Sequence, residues 1–185
     1  SSLNDPYDYL TTDDLTFYFY WSNDTGADVV VNVSSVLALN GSILANAYSG
    51  WIWSPFWGTG TIGESTVTLS ARLNVLEWWN QPPTTPETQF GQFRDVARLS
   101  VEGGWAPISG PTDAKEQFVS DAFHLHYDML HIPRNGVGVF EVTLHADYEV
   151  YNGQAWVDFS REDDTILCPS LEIEIVSGPM ITPDL

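Results

Sequence analysis

The chain has few basic residues. Six Lys and Arg stand against 25 Asp and Glu in 185 residues, which gives a formal net charge of −19 at pH 7, and Lys115 is the one lysine. A surface of this charge repels phosphate, so nucleic acid and anionic membranes are poor partners. We therefore expect no nucleic-acid partner.

Cysteine and long apolar runs are also scarce. Cys168 is the single cysteine, so no disulfide can form within the chain, and its position beside Pro169 favours a buried structural thiol. No apolar run approaches the ~20 residues that span a bilayer, so we predict no transmembrane segment. The first residues, Ser-Ser-Leu-Asn, are typical of a mature protein whose signal peptide has been removed. We expect an extracellular or cell-surface location.

Catalytic signatures are missing from the sequence. It contains no Gly-x-Ser-x-Gly, no glycine-rich phosphate loop and no His-Glu-x-x-His. We name no catalytic residue and treat an enzymatic activity as the less favoured hypothesis.

Helical periodicity is absent as well, whereas strand signals are abundant. Short runs rich in Val, Thr, Tyr, Phe and Trp recur between turn signals. This pattern predicts an all-β domain over residues 15–185, an antiparallel β-sandwich of jelly-roll-like type with a C-terminal β-meander. Residues 89–99 fit either a strand or a short helix. Residues 1–14 form a polar, acidic N-terminal arm that we expect to donate a strand to a neighbour's sheet edge.

Asn-Gly pairs divide the chain into candidate hairpins. They occur at Asn40-Gly41, Asn135-Gly136 and Asn152-Gly153, and Asn-Gly between alternating apolar runs is the strongest short-range hairpin signal. Around Asn135-Gly136 the runs cover residues 123–132 and 138–151. We predict that these two segments pair directly and that the strand after Asn152-Gly153 pairs with the second of them.

The predicted hairpin would gather histidines on one face. Its register puts His126 opposite His145 and His124 opposite Asp147, with Cβ atoms about 5 Å apart. Imidazole and carboxylate are ligands of zinc and copper, so one hypothesis is a divalent metal site formed by His124, His126, His145 and Asp147. The alternative is a solvent-facing sheet surface with ordinary His–Asp contacts. Acidic turns elsewhere offer oxygens for calcium, but none has the spacing of a defined calcium loop.

A second candidate site is an aromatic, glycine-flanked segment. Its large side chains are Trp51, Trp53, Phe56 and Trp57. Such rings fill the core, cover a contact with another subunit, or stack on sugar rings.

These observations leave three hypotheses about function. The leading one is an extracellular, non-enzymatic subunit that self-associates into a homo-oligomeric surface layer, filament or shell. The second is a carbohydrate-binding module that uses the tryptophans as its platform. The third is a metalloprotein that uses the histidine face.

Overall fold

The computed structural model describes residues 9–52, 59–77, 87–103 and 110–177. These ranges contain ten β-strands and no helix, so residues 89–99 belong to a strand. No helix in the described ranges is long and apolar enough to cross a membrane. The strands are Tyr9–Ser22 (β1), Val29–Ile52 (β2), Thr59–Ile62 (β3), Glu64–Glu77 (β4), Glu87–Glu102 (β5), Gly110–Ile132 (β6), Val137–Tyr151 (β7), Gly153–Asp158 (β8), Thr165–Leu167 (β9) and Leu171–Ser177 (β10).

One sheet is built around β2, a strand of 24 residues. The long strand β6 pairs with β2 from Val29 to Ser49. Many residues of β2 also pair along the opposite edge of this strand, where four short strands lie one after another. Along β2 from its N-terminal end these are β10, β9, β8 and β3.

The second sheet has the order β1-β7-β4-β5, and all its neighbours are antiparallel. It packs face to face with the β2 sheet, which confirms the predicted antiparallel, sandwich-like all-β fold. Strand alternation places every second side chain between the sheets. The largest side chains fully buried there are Phe140, Leu37, Ile43, Leu69, Leu73, Leu125 and Ile132.

The predicted pairing around Asn135-Gly136 is wrong. A turn does lie there, with Asn135 at φ 59°, but β6 pairs with β2 while β7 pairs with β1 and β4. The turn carries the chain from one sheet to the other. Asn152, at φ 46°, does the same between β7 and β8, because β8 pairs with β2. The described C-terminal strands therefore do not pair in sequence as a meander would.

The predicted hairpin at Asn40-Gly41 is also wrong, because both residues lie inside β2. The glycine has a packing reason instead. A Cβ on Gly41 would collide with the ring of Phe159, which follows β8, and with the backbone oxygen of Asp158 on β8. Glycine in a strand often marks such a close approach.

The pairing of β2 with β6 is irregular near Met129. Met129 has φ 60°, and the β2–β6 register shifts between Val31 and Val33, opposite this position. The bulge explains why Leu125 and Leu130 are both buried although they have opposite parity.

The N-terminal arm is partly described. Residues 9–14, which we expected to reach a neighbouring copy, pair with β7 of their own chain as part of β1. Residues 1–8 lie outside the described ranges.

The two long sides of the sandwich differ. On one side β5 lies beside β6, and the backbone N–H of His126 donates to Oε1 of Gln92 at 2.8 Å. On the other side β1 faces β8, β9 and β10 across clefts. The candidate site lies on this second side, along β1.

Candidate functional site

The four predicted metal ligands are divided between the two sheets. His124 and His126 lie on β6, opposite Val36 and Ser34 of β2. His145 and Asp147 lie on β7 in the other sheet. The register that was to bring all four together is wrong, because β6 and β7 have different partners. Within the described ranges, no group of three or more His, Cys, Asp or Glu side chains is arranged to hold a metal ion.

His145 instead joins β1 to β7 on the outer face of its sheet. Its Nδ1 lies 2.5 Å from Oδ1 of Asp14, the residue opposite it on β1, and its Nε2 lies 3.1 Å from Oδ1 of Asp147. The His145 side chain is only 10% exposed, whereas the two carboxylates are 56% and 42% exposed. Each ring nitrogen of His145 therefore already faces a carboxylate oxygen. Its role here is to hold β1 in register.

His126 and His131 make surface contacts, and His124 is exposed. His126 Nε2 lies 3.9 Å from Oδ2 of Asp128, and His131 Nε2 lies 3.6 Å from Oδ2 of Asp28, all on exposed side chains. Exposed pairs of this kind contribute about 0–1 kcal/mol. They match the alternative of an ordinary acidic sheet surface.

Cys168 is half-buried, and its Sγ lies 3.3 Å from Oγ of Ser35 on β2. Burial raises the pKa of the Cys168 thiol, and the contact with Ser35 offsets part of that rise. A raised pKa disfavours the nucleophilic thiolate. The geometry therefore supports a packing role, as the sequence indicated.

Most of the predicted aromatic segment lies outside the residues that the structure describes. The backbone of Trp51 pairs with Gly60 where β2 meets β3. Trp53, Phe56 and Trp57 are not among the described residues. The stacking platform stays a prediction.

The structure draws attention to a different aromatic segment, the second half of β1. From Leu15 to Trp21 it reads Leu-Thr-Phe-Tyr-Phe-Tyr-Trp, with no charged residue and no proline. The whole of β1 pairs with β7 through 14 consecutive residues without a bulge. Among the described strands β1 pairs with β7 alone, so its other edge is the edge of the sheet.

Both faces of this segment are aromatic. Phe17, Phe19 and Trp21 point between the sheets and are only partly buried. Tyr18 and Tyr20 point outward and are 66% and 84% exposed. A free strand edge with exposed rings has the properties of a contact surface, because it offers unpaired backbone groups together with apolar area.

Clefts line the inner side of β1. One of about 420 Å³ is bounded by residues 18–21 of β1 and by Leu171 and Ile173 of β10. Another, of about 150 Å³, lies further along β1 between Leu15, Leu144, Phe159 and Ile166, with Asp13 and Asp14 at its margin. Among the described residues, the sandwich is thus incompletely sealed beside residues 13–15 and 18–21 of β1. We refer to β1 with these two clefts as the β1 edge.

From the sequence, residues 15–21 were predicted only as the start of the strand-rich domain, not as a surface. The informative pattern was that aromatic residues occupy both odd and even positions. A strand with one buried face instead alternates apolar with polar residues. Recognising the free edge also required the strand order, which no local pattern supplies.

No protein-family model matches the chain, and no match to a curated protein was found. The candidate site therefore depends on the geometry of the β1 edge.

Proposed function

We propose that this protein is a self-associating structural subunit of an extracellular homo-oligomer, such as a surface layer, filament or shell. The observation that supports this most directly is the β1 edge, with its uncharged aromatic segment from Leu15 to Trp21 at the margin of a sheet.

Sheet edges in soluble proteins are normally protected. Lysine, proline, bulges or inward-pointing charges prevent other chains from pairing with them. The N-terminal half of β1 has such protection, because Asp13 and Asp14 lie there. The half from Leu15 to Trp21 has none. A short segment of high β propensity without charge or proline is the kind that pairs with another chain.

The test is sedimentation velocity of the purified chain at near-neutral pH. We expect a species larger than the 20.6 kDa monomer. In the variant Tyr20→Lys a charge replaces an exposed ring at the edge, so we expect dissociation towards monomer.

Met129→Lys is the matched control. Met129 is 65% exposed and lies on β6, on the other side of the sandwich. The same charge added there should leave the assembly intact. A monomeric parent chain at tens of micromolar would contradict the proposal, and equal effects of both lysines would show that the β1 edge is not the contact.

A further inference from the structure

We propose that β1 is exchanged between copies, so that β1 of one molecule lies on β7 of the next. This inference rests on the proposed self-association and adds a second link to it, because exchange leaves the outer edge of β1, with Tyr20, free for the contact that Tyr20→Lys tests. The partner is a second copy of this chain, and the surface that accepts it is the one that β1 covers within its own molecule.

β1 is the strand whose removal disturbs the core least. None of its residues with described side chains, 10–22, is buried. The buried core is supplied mainly by the other long strands, β2, β4, β6 and β7, with two residues from β5 and one from β8. Because β1 lies at a sheet edge, only one ladder has to open for it to leave.

The acceptor is defined by the pairing already present. When β1 leaves, β7 becomes an edge strand, and the inner-face residues Phe140 and Val142 lose their neighbours Phe19 and Phe17. An identical β1 from another copy restores these pairs and the contact between Asp14 and His145. Exchange of an identical element therefore joins molecules at low free-energy cost.

The connection from β1 to β2 would act as the hinge, and opening it would break the hydrogen bonds that Asn23 makes to Ala27 and Thr25. Residues 25–27 form a bend, and Gly26 has φ +82°, a conformation that few other residues adopt. Five residues, Asp24 to Asp28, span at most about 17 Å when extended. Two exchanging copies must therefore bring these corners close together.

Asn23 marks the end of the exchanged segment. It is fully buried, its backbone N–H donates to O of Gly136, and its Nδ2 lies within 3.1 Å of the carbonyl oxygens of Ile132 and Pro133. These acceptors belong to the turn between β6 and β7. In an exchanged assembly Asn23 would make the same bonds to that turn of the partner copy.

Engineered cysteines at the directly opposed pair Thr16 and Thr143 test the proposal. Their Oγ1 atoms are 2.9 Å apart, and Thr143 is only 7% exposed because β1 lies beside it. Opposed residues in antiparallel strands are at a separation that a disulfide can bridge. Both substitutions are made in a Cys168→Ser background, so that no native thiol competes.

Single variants Thr16→Cys and Thr143→Cys are denatured, refolded together and oxidised. Exchange predicts a disulfide between the two chains in the assembled fraction. Thr16→Cys mixed with Thr68→Cys is the control, since Thr68 lies two strands away on β4 and should not cross-link. Equal cross-linking in both mixtures would overturn the exchange.

The double variant Thr16→Cys/Thr143→Cys, oxidised as a dilute monomer, locks β1 onto its own β7. We expect this form to assemble less than its reduced form at the same concentration, because only contact through the free edge of β1 remains. Equal assembly of the locked and reduced forms would overturn the exchange and leave self-association through the free edge intact. A parent chain that never assembles would overturn both proposals.

Discussion

At the scale of single residues, His145 shows how a sheet surface can hold an edge strand. Its ring lies between Asp14 of β1 and Asp147 of its own strand, and it is almost fully buried between them. Because Asp14 is the only one of the three on β1, the contact resists a shift of β1 along β7.

We predict that His145→Asn lowers the free energy of unfolding by about 1–2 kcal/mol, because it removes hydrogen bonds to charged partners that still reach water. Urea denaturation followed by tryptophan fluorescence measures this change. His126→Asn, on an exposed pair, is the control and should change the stability by less than about 0.5 kcal/mol. An unchanged midpoint for His145→Asn would show that the contact with Asp14 contributes no stability.

The sequence alone predicted part of this contact. Alternation placed His145 and Asp147 on a common face of β7, and the structure confirms that they share its outer face. It could not show that Asp14 approaches His145, because the two residues are 131 positions apart. Their proximity results from the pairing of β1 with β7, not from a local pattern.

At the scale of strands, Gly41 shows how a turn signal can have another cause. Asn40-Gly41 predicted a hairpin, yet β2 runs straight through it, and the glycine leaves room for the ring of Phe159.

We predict that Gly41→Ala lowers the free energy of unfolding by about 1–3 kcal/mol, the usual effect of overpacking. Alanine is otherwise better than glycine within a strand, so the sign of the change is informative. Thermal unfolding of Gly41→Ala, Phe159→Ala and the double variant measures the coupling. We expect Gly41→Ala to cost less once Phe159→Ala has removed the ring, although the backbone oxygen of Asp158 still lies 2.7 Å from the added Cβ. Equal losses in both backgrounds would show that the ring is not the cause.

Strand partners were harder to predict than strands. Asn-Gly correctly marked the reversals at Asn135 and Asn152, where positive φ suits asparagine. The same local chemistry serves a hairpin within one sheet and a connection between two sheets. The choice between them is made by residues far along the chain, such as those of β2 that pair with β6.

At the scale of the whole molecule, the balance between charge and apolar contact should govern assembly. The chain has a net charge of −19, whereas the proposed contact at residues 15–21 is uncharged. Raising the salt from about 0.1 M to 1 M shortens the Debye length from about 10 Å to 3 Å, which weakens repulsion between copies.

We therefore predict that the assembled fraction rises with sodium chloride over that range. Sedimentation velocity at several salt concentrations measures it, with Tyr20→Lys as the comparison that should stay closer to monomer throughout. Dissociation at high salt would indicate that ion pairs hold the copies together and would contradict the proposed apolar contact.

The fold class was predictable because it depends on many strands at once. Alternation and composition indicated an antiparallel sandwich without requiring any particular pair to be right. The candidate site was not predictable in this way, because an edge exists only once the order β1-β7-β4-β5 is known.

The arrangement around β2 also determines when its partner strands become available during synthesis. β2 is complete at residue 52, but the last of the short strands along its edge ends at Ser177. At about 5–20 residues per second, roughly 6 to 25 seconds separate these two points on the ribosome. During that interval a strand rich in valine and leucine lacks most of its partners. A cell that makes this protein must therefore keep the growing chain from aggregating until its last strands emerge.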